Sequence, residues 1–198
     1  MFSDKLKKYK ILLASKSPRR HYLLKETGIE FDVVNDIGIE ENFPLVLDKF
    51  KIPIFLAEKK SDASAGHLTE STILIAADTI VWFNGYVSNK PTDSQDAVEI
   101  LSKLAGNMHE VITGVTIRTK NRKFSFYSHS EVFFGPLSNE EIQYYVKTFK
   151  PFDKAGAYGI QEWIGYIGIE KINGSFFNVM GLPIHQLYRE LEKFVSEL

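Results

Sequence analysis

Residues Ile73 to Ala77 read ILIAA, and this unbroken apolar run constrains the fold more than any other stretch of the chain. Side chains alternate between the two faces of a strand, so consecutive apolar residues need cover on both faces. A sheet buried between helices supplies that cover, and an α/β fold is expected. Asp78 follows the run directly. A carboxylate there is costly unless it is paired, hydrogen-bonded or metal-bound, and the plainest partner is a neighbouring turn.

Strand and helix signals alternate elsewhere. After the short apolar run Ile11 to Ala14, Ser17 stands as an N-cap, Pro18 at the first helical position and Gly28 as the stop. A strand is predicted from Phe31 in FDVVN, and a helix from near Ile54 to Ala65. Asn84-Gly85, between TIVWF and YVS, marks a hairpin. Ala97, Ile100, Leu101 and Leu104 share one helical face, which Gly106 closes. HEVITGVTI and FSFYSHSEVFF are predicted as paired antiparallel strands around TKNRK, and Ser138 with Glu141 forms a capping box. IGYIGIEKI, an Asn173-Gly174 turn and an amphipathic helix from about Ile184 complete the chain. No linker, repeat or low-complexity segment divides it, so it reads as one α/β unit with a mixed sheet.

The bulk properties exclude several classes. A chain of 198 residues can bury roughly 70% of its unfolded surface without a staple. With 24 basic and 25 acidic side chains, no broad basic face for nucleic acid is expected, and any anion site must be local. The absence of cysteine excludes disulfides, thiolate zinc sites and thiol nucleophiles. The apolar stretch near the N-terminus is too short for a signal peptide or a membrane span, so a soluble, cytoplasmic protein is expected.

The sequence ASKSPRR suggests such a local site. A helix start presents unpaired N–H groups and the positive end of its dipole. Ser15 and Ser17 add hydroxyls, and Arg19 and Arg20 add forked donors suited to phosphate. The simpler reading makes Ser17 a cap and the arginines solvated charges. Magnesium would suit Asp78 beside a phosphate site. Lys90, in NKP, could reach a phosphate or lie in solvent; Glu41, in EENFP, reads locally as a solvated loop acid. In DKAGAYGIQ, Lys154 is a further candidate phosphate ligand, and Gln161 carries the paired donor and acceptor that read a base edge, unless the glycines there only make turns. The five histidines, His109 among them, show no ligand spacing and read as structural.

In order along the chain, LASKSPRRHYLL, EENFP, FLAEKK, IAADTIVWFNGYVSNKP, LAGNMHEVITGV, DKAGAYGIQ and GSFFNVMGLP resemble the Maf family of nucleoside triphosphate pyrophosphatases, in its dTTP/UTP-directed branch. The resemblance implies an elongated, bilobed α/β fold like that of inosine triphosphate pyrophosphatases, with a mixed twisted sheet flanked by helices, a central cleft and a homodimer. It covers nearly all of residues 1–198 as a single domain, and leaves residues 1–10 as a frayed basic tail. The implied reaction is hydrolysis of a nucleoside triphosphate to monophosphate and pyrophosphate with a divalent cation, Mg²⁺, or Mn²⁺ or Co²⁺. By motif, Asp78 matches the proton acceptor, and Ser15, Arg20, Glu41, Lys60, Lys90 and Lys154 match polar cleft residues. Arg19, Thr79 and Gln161 stand where 7-methyl-GTP-directed relatives carry Trp, Gln and Glu, which implies the pyrimidine type.

In this reading Asp78 either activates the attacking water or holds the metal, and Glu41 takes the other role. Asn89 replaces a common glycine, and Ser61 a common alanine. Two rival classes are a nucleotide-binding regulator of septum formation without significant turnover and a nucleic-acid-binding module, the latter disfavoured by the charge balance.

Overall fold

The computed structural model describes residues 2–34 and 39–198. Among the described residues seven strands form one mixed sheet flanked by helices. They are β1 (Lys10–Ala14), β2 (Asp32–Val34), β3 (Thr72–Phe83), β4 (Tyr86–Ser88), β5 (Met108–Arg118), β6 (Lys123–Phe134) and β7 (Ile169–Asn173). The order is β2-β1-β3-β5-β6-β7, with β4 paired to β3. β1 runs parallel to β2 and β3, with Leu12 opposite Leu74; β3 with β4 and β6 with β7 run antiparallel. Residues 73–77 are all fully buried, as an apolar run covered on both faces requires. Each large side chain buried there contributes about 1.5–3 kcal/mol relative to exposure.

The chain divides into two compact units. One comprises the chain up to Asp78, Thr113–Ser128 and Gly181–Leu198. It contains β1, β2 and the helices α1 (Phe2–Leu6), α2 (Pro18–Lys25), α3 (Lys51–Ala63) and, near the C-terminus, Ile184–Ser196. Residues 2–10 depart from the expected frayed tail. Phe2 and Leu6, one helical turn apart, are buried, the Phe2 ring meets Tyr188 edge-on at 5.1 Å, and Lys10 already belongs to β1. The predicted strand FDVVN is three residues long, from Asp32; Asn35 lies outside the described residues. Pro53 sits in the first turn of α3, where its missing N–H costs nothing. Here α3 crosses β5 so closely that a Cβ on Gly114 would lie 2.3 Å from the Pro53 carbonyl. Only glycine permits that approach, and it fixes the helix that carries Lys60.

The other unit, Thr79–Ile112 and His129–Met180, follows local rules closely. Asn84 and Gly85, at φ 49° and 88°, close the β3–β4 hairpin in the left-handed region that such a tight turn needs. α4 (Ser94–Leu104) starts at Asp93, whose side chain accepts from the Asp96 N–H at 2.9 Å. α5 (Asn139–Phe149) opens on the predicted capping box: Ser138 and Glu141 each bond the other's backbone. Two short helices follow, α6 (Trp163–Gly168) and α7 (Phe176–Met180); the C-terminal helix of the first unit is then α8.

His109 is buried against Phe134 and Tyr158, with Nε2 2.7 Å from the Tyr158 hydroxyl and Nδ1 without a partner. Burial pushes its imidazole from the ordinary 6.5 down to about 4. The unfolded chain therefore binds a proton that the folded chain refuses. The resulting stability is complete above about pH 6.5 and declines as the pH falls toward about 4, by up to about 3 kcal/mol. Urea denaturation between pH 7 and 4 should show this decline in the parent and lose it in His109→Gln; an equal decline in both would contradict the assignment.

Candidate active site

In the first unit, several predicted residues converge around the end of the buried run. Asp78 is 6% exposed. Its Oδ1 receives the Lys60 ammonium at 2.5 Å, and the same ammonium lies 3.0 Å from Glu41 Oε1. Lys60 occupies the last turn of α3, where its side chain is 12% exposed, while the Glu41 side chain remains 42% exposed. The pairing meets the requirement read at Asp78: a carboxylate at the end of an apolar strand is neutralised by a cation and a hydrogen bond. Ser61 is fully buried beside Lys60, and its hydroxyl has no hydrogen-bond partner.

The serine and arginine turn lies next to this cluster through the backbone. Arg20 donates from Nη1 to the Ala77 carbonyl at 2.8 Å and to Ser15 Oγ at 3.4 Å, and from Nε to the Gly181 carbonyl at 2.7 Å. Its guanidinium thus ties α2 to the residue before Asp78 and to the segment before α8. Ser17 occupies the N-cap position, but its side chain makes no capping bond; its N–H donates to Ser15 Oγ at 3.2 Å. The sequence did not point to His21, whose Nε2 lies 2.6 Å from the Ser15 carbonyl. Arg19 is half-buried beside Arg20.

The second unit holds the remaining predicted residues. Lys90 is exposed at the end of β4, and Thr79 is half-buried on β3. The carbonyl of Asn89 accepts from the Gly156 N–H at 3.4 Å, which joins the Lys90 loop to the glycine-rich turn after Lys154. Lys154 is 7% exposed and paired with Asp153 at 2.8 Å and Glu162 at 3.2 Å. Gln161 Oε1 is buried without a hydrogen-bond partner. Glu162 and Tyr145, which bonds it, were not singled out in the sequence. Tyr145 reads there as one more core residue on the Ile142–Val146 face of α5.

Carboxylates that already share one cation can also present oxygens to a divalent ion. Among the described residues no group of three or more His, Cys, Asp or Glu could hold a metal. Magnesium is commonly held by one or two carboxylates plus substrate phosphates, so the Asp78 and Glu41 pair fits it. Among the described residues no helix is long and apolar enough to cross a membrane.

A buried carboxylate paired with an ammonium beside a serine and arginine helix start, on a mixed sheet, defines an α/β protein equipped to handle anions. The chain belongs to the Maf family: residues 10–194 match the family described as Maf-like protein. It is 50% identical over 190 residues to a Phocaeicola vulgatus protein named dTTP/UTP pyrophosphatase, covering 96% of this chain and 98% of that protein. A Cytophaga hutchinsonii protein of the same name is 51% identical over 196 residues, 99% of this chain and 89% of that one. Among solved structures, a HAM1 protein from Coxiella burnetii matches with a TM-score of 0.52 at 10% identity, covering 96% of this chain and all of that one, a likeness of fold alone.

Removing Lys60 leaves Asp78 buried with its counter-charge gone, which typically costs about 3–5 kcal/mol. Lys60→Met should therefore lower the unfolding free energy by about 3 kcal/mol, and the double variant Lys60→Met/Asp78→Ala should recover most of that loss. Additive losses in a denaturation cycle would show that the two residues do not neutralise each other.

Proposed function

We propose that this chain is a nucleoside triphosphate pyrophosphatase that hydrolyses dTTP and UTP to the monophosphate and pyrophosphate. The observation that carries the proposal is the buried Asp78 carboxylate held on Lys60 with Glu41, in a chain half-identical to proteins named for that reaction. Phosphoryl transfer asks little covalent help of a protein and much alignment and charge neutralisation. Asp78 orients or deprotonates the water that attacks the α-phosphorus, with Lys60 fixing its carboxylate; Glu41 is the second acid. Asp78 and Glu41 would hold a divalent cation, Mg²⁺ or its Mn²⁺ or Co²⁺ substitutes, which when bound neutralises phosphate charge.

The cations divide the remaining work. Ser15 and Arg20 present donors at the start of α2, with Arg20 locked by its two carbonyl bonds, and Ser17 and Arg19 extend that turn. Lys90 and Lys154 offset the charge of the triphosphate. Gln161, with its unpartnered Oε1, accepts from the ring N–H of uracil or thymine, and its amide donates to a ring carbonyl. Thr79 and Arg19 belong to the same pyrimidine choice. The homodimer and cytoplasmic setting implied by the resemblance are part of the proposal.

A panel of nucleoside triphosphates with Mg²⁺ tests it. dTTP and UTP should yield monophosphate and pyrophosphate at least about tenfold faster than ATP or GTP, and Gln161→Glu should reorder that ranking by about tenfold or more. Binding of dTTP without turnover would favour a regulatory role, and an unchanged ranking in Gln161→Glu would remove the residue from base recognition.

A further inference from the structure

Lys154 sits between carboxylates of different character. Asp153, 2.8 Å from its ammonium, has a side chain 57% exposed; Glu162, 3.2 Å away, is 19% exposed. Glu162 is anchored on both oxygens. Its Oε1 faces Lys154, and its Oε2 accepts from the Tyr145 hydroxyl. That hydroxyl is in turn fixed: it accepts from the Gly159 N–H at 3.0 Å, so its own proton is directed at Glu162. The Tyr145 side chain is fully buried, and burial, reinforced by Glu162, pushes its phenol well above the usual range. That upward shift favours the protonated hydroxyl that donates to Glu162. Gly159 leaves room for this arrangement, since a Cβ there would lie 2.7 Å from the Glu162 carboxyl carbon.

We infer that Tyr145 and Glu162 are positioning residues that hold the Lys154 ammonium in place for a phosphate of the substrate. This rests on the proposed contact between Lys154 and the triphosphate. A lysine carries substantial rotamer freedom, and a flexible ammonium must be ordered at the moment of binding. Glu162 orders it beforehand, because both of its oxygens are committed and Tyr145 is locked from behind. A phosphate that meets an ammonium already ordered in this way gains a charge-assisted bond without the cost of ordering it.

The test is a kinetic cycle with dTTP and Mg²⁺ on Tyr145→Phe, Glu162→Gln, Lys154→Met and the doubles with Lys154→Met. Glu162→Gln should raise KM about tenfold with kcat within about threefold, the pattern of a lost grip on the bound substrate. Tyr145→Phe should raise KM less. In the Lys154→Met background neither change should raise KM further. A merely structural role would cost the same in both backgrounds, and equal losses would overturn the inference while leaving the Lys154 contact standing. Should Tyr145→Phe fold poorly, Glu162→Gln in the two backgrounds decides alone. A Lys154→Met enzyme with parental KM and kcat would overturn the contact itself and the inference with it.

Discussion

The Asp78 carboxylate stands at the end of a strand segment that is apolar on both faces, and the Lys60 ammonium allows it to stay there. Without that contact the buried strand would end in an unpaired charge. With it, an acid is held in one orientation, out of bulk water, beside a second acid, Glu41, that solvent can reach. Pairs of this kind are seldom the most stable solution for a core, since apolar residues of similar volume do as well or better. Retaining one beside a serine and arginine turn is what a site for charged substrates requires.

Much of the surrounding structure serves to place these groups. Gly114 lets the first turn of α3 rest on β5, and Lys60 projects from the far end of that helix. Arg20 bonds the carbonyl of Ala77, the residue before Asp78, so the helix that offers Ser17 and Pro18 is tied to the strand that offers the acid. The same guanidinium bonds Gly181. Arg20 is thus both a candidate phosphate ligand and a backbone clamp, and substituting it would disturb fold and site together.

How legible each feature was in the sequence depends on the range of the interaction. The capping box at Ser138, the hairpin at Asn84-Gly85 and the apolar run before Asp78 are governed by neighbours within a few residues, and each appears where it was expected. Helix α1 was missed because lysines dominate the first ten residues and hide the Phe2 and Leu6 pair, whose partner, α8, lies at the other end of the chain. Ser17 stands at the N-cap position as expected, but its side chain makes no capping bond and its N–H donates to Ser15 Oγ, a local geometry that composition does not resolve. The motifs drew attention to Lys60, Glu41 and Asp78, but their contact joins positions 19 and 18 residues apart in the chain and is a fact of packing. Glu162 and Tyr145 left no mark in the sequence, because a tyrosine on the apolar face of a helix looks like core until its hydroxyl is seen to meet a carboxylate 17 residues away.

The most direct test is to remove the charge at Asp78 while keeping its shape. Asp78→Asn retains the size and a hydrogen-bonding oxygen, so the account expects a folded protein whose turnover of dTTP with Mg²⁺ falls by at least about 10²-fold, the lower range for loss of a positioned acid or base. A folded Asp78→Asn protein turning over dTTP within a few-fold of the parent would contradict the claim that this carboxylate is the centre of the reaction.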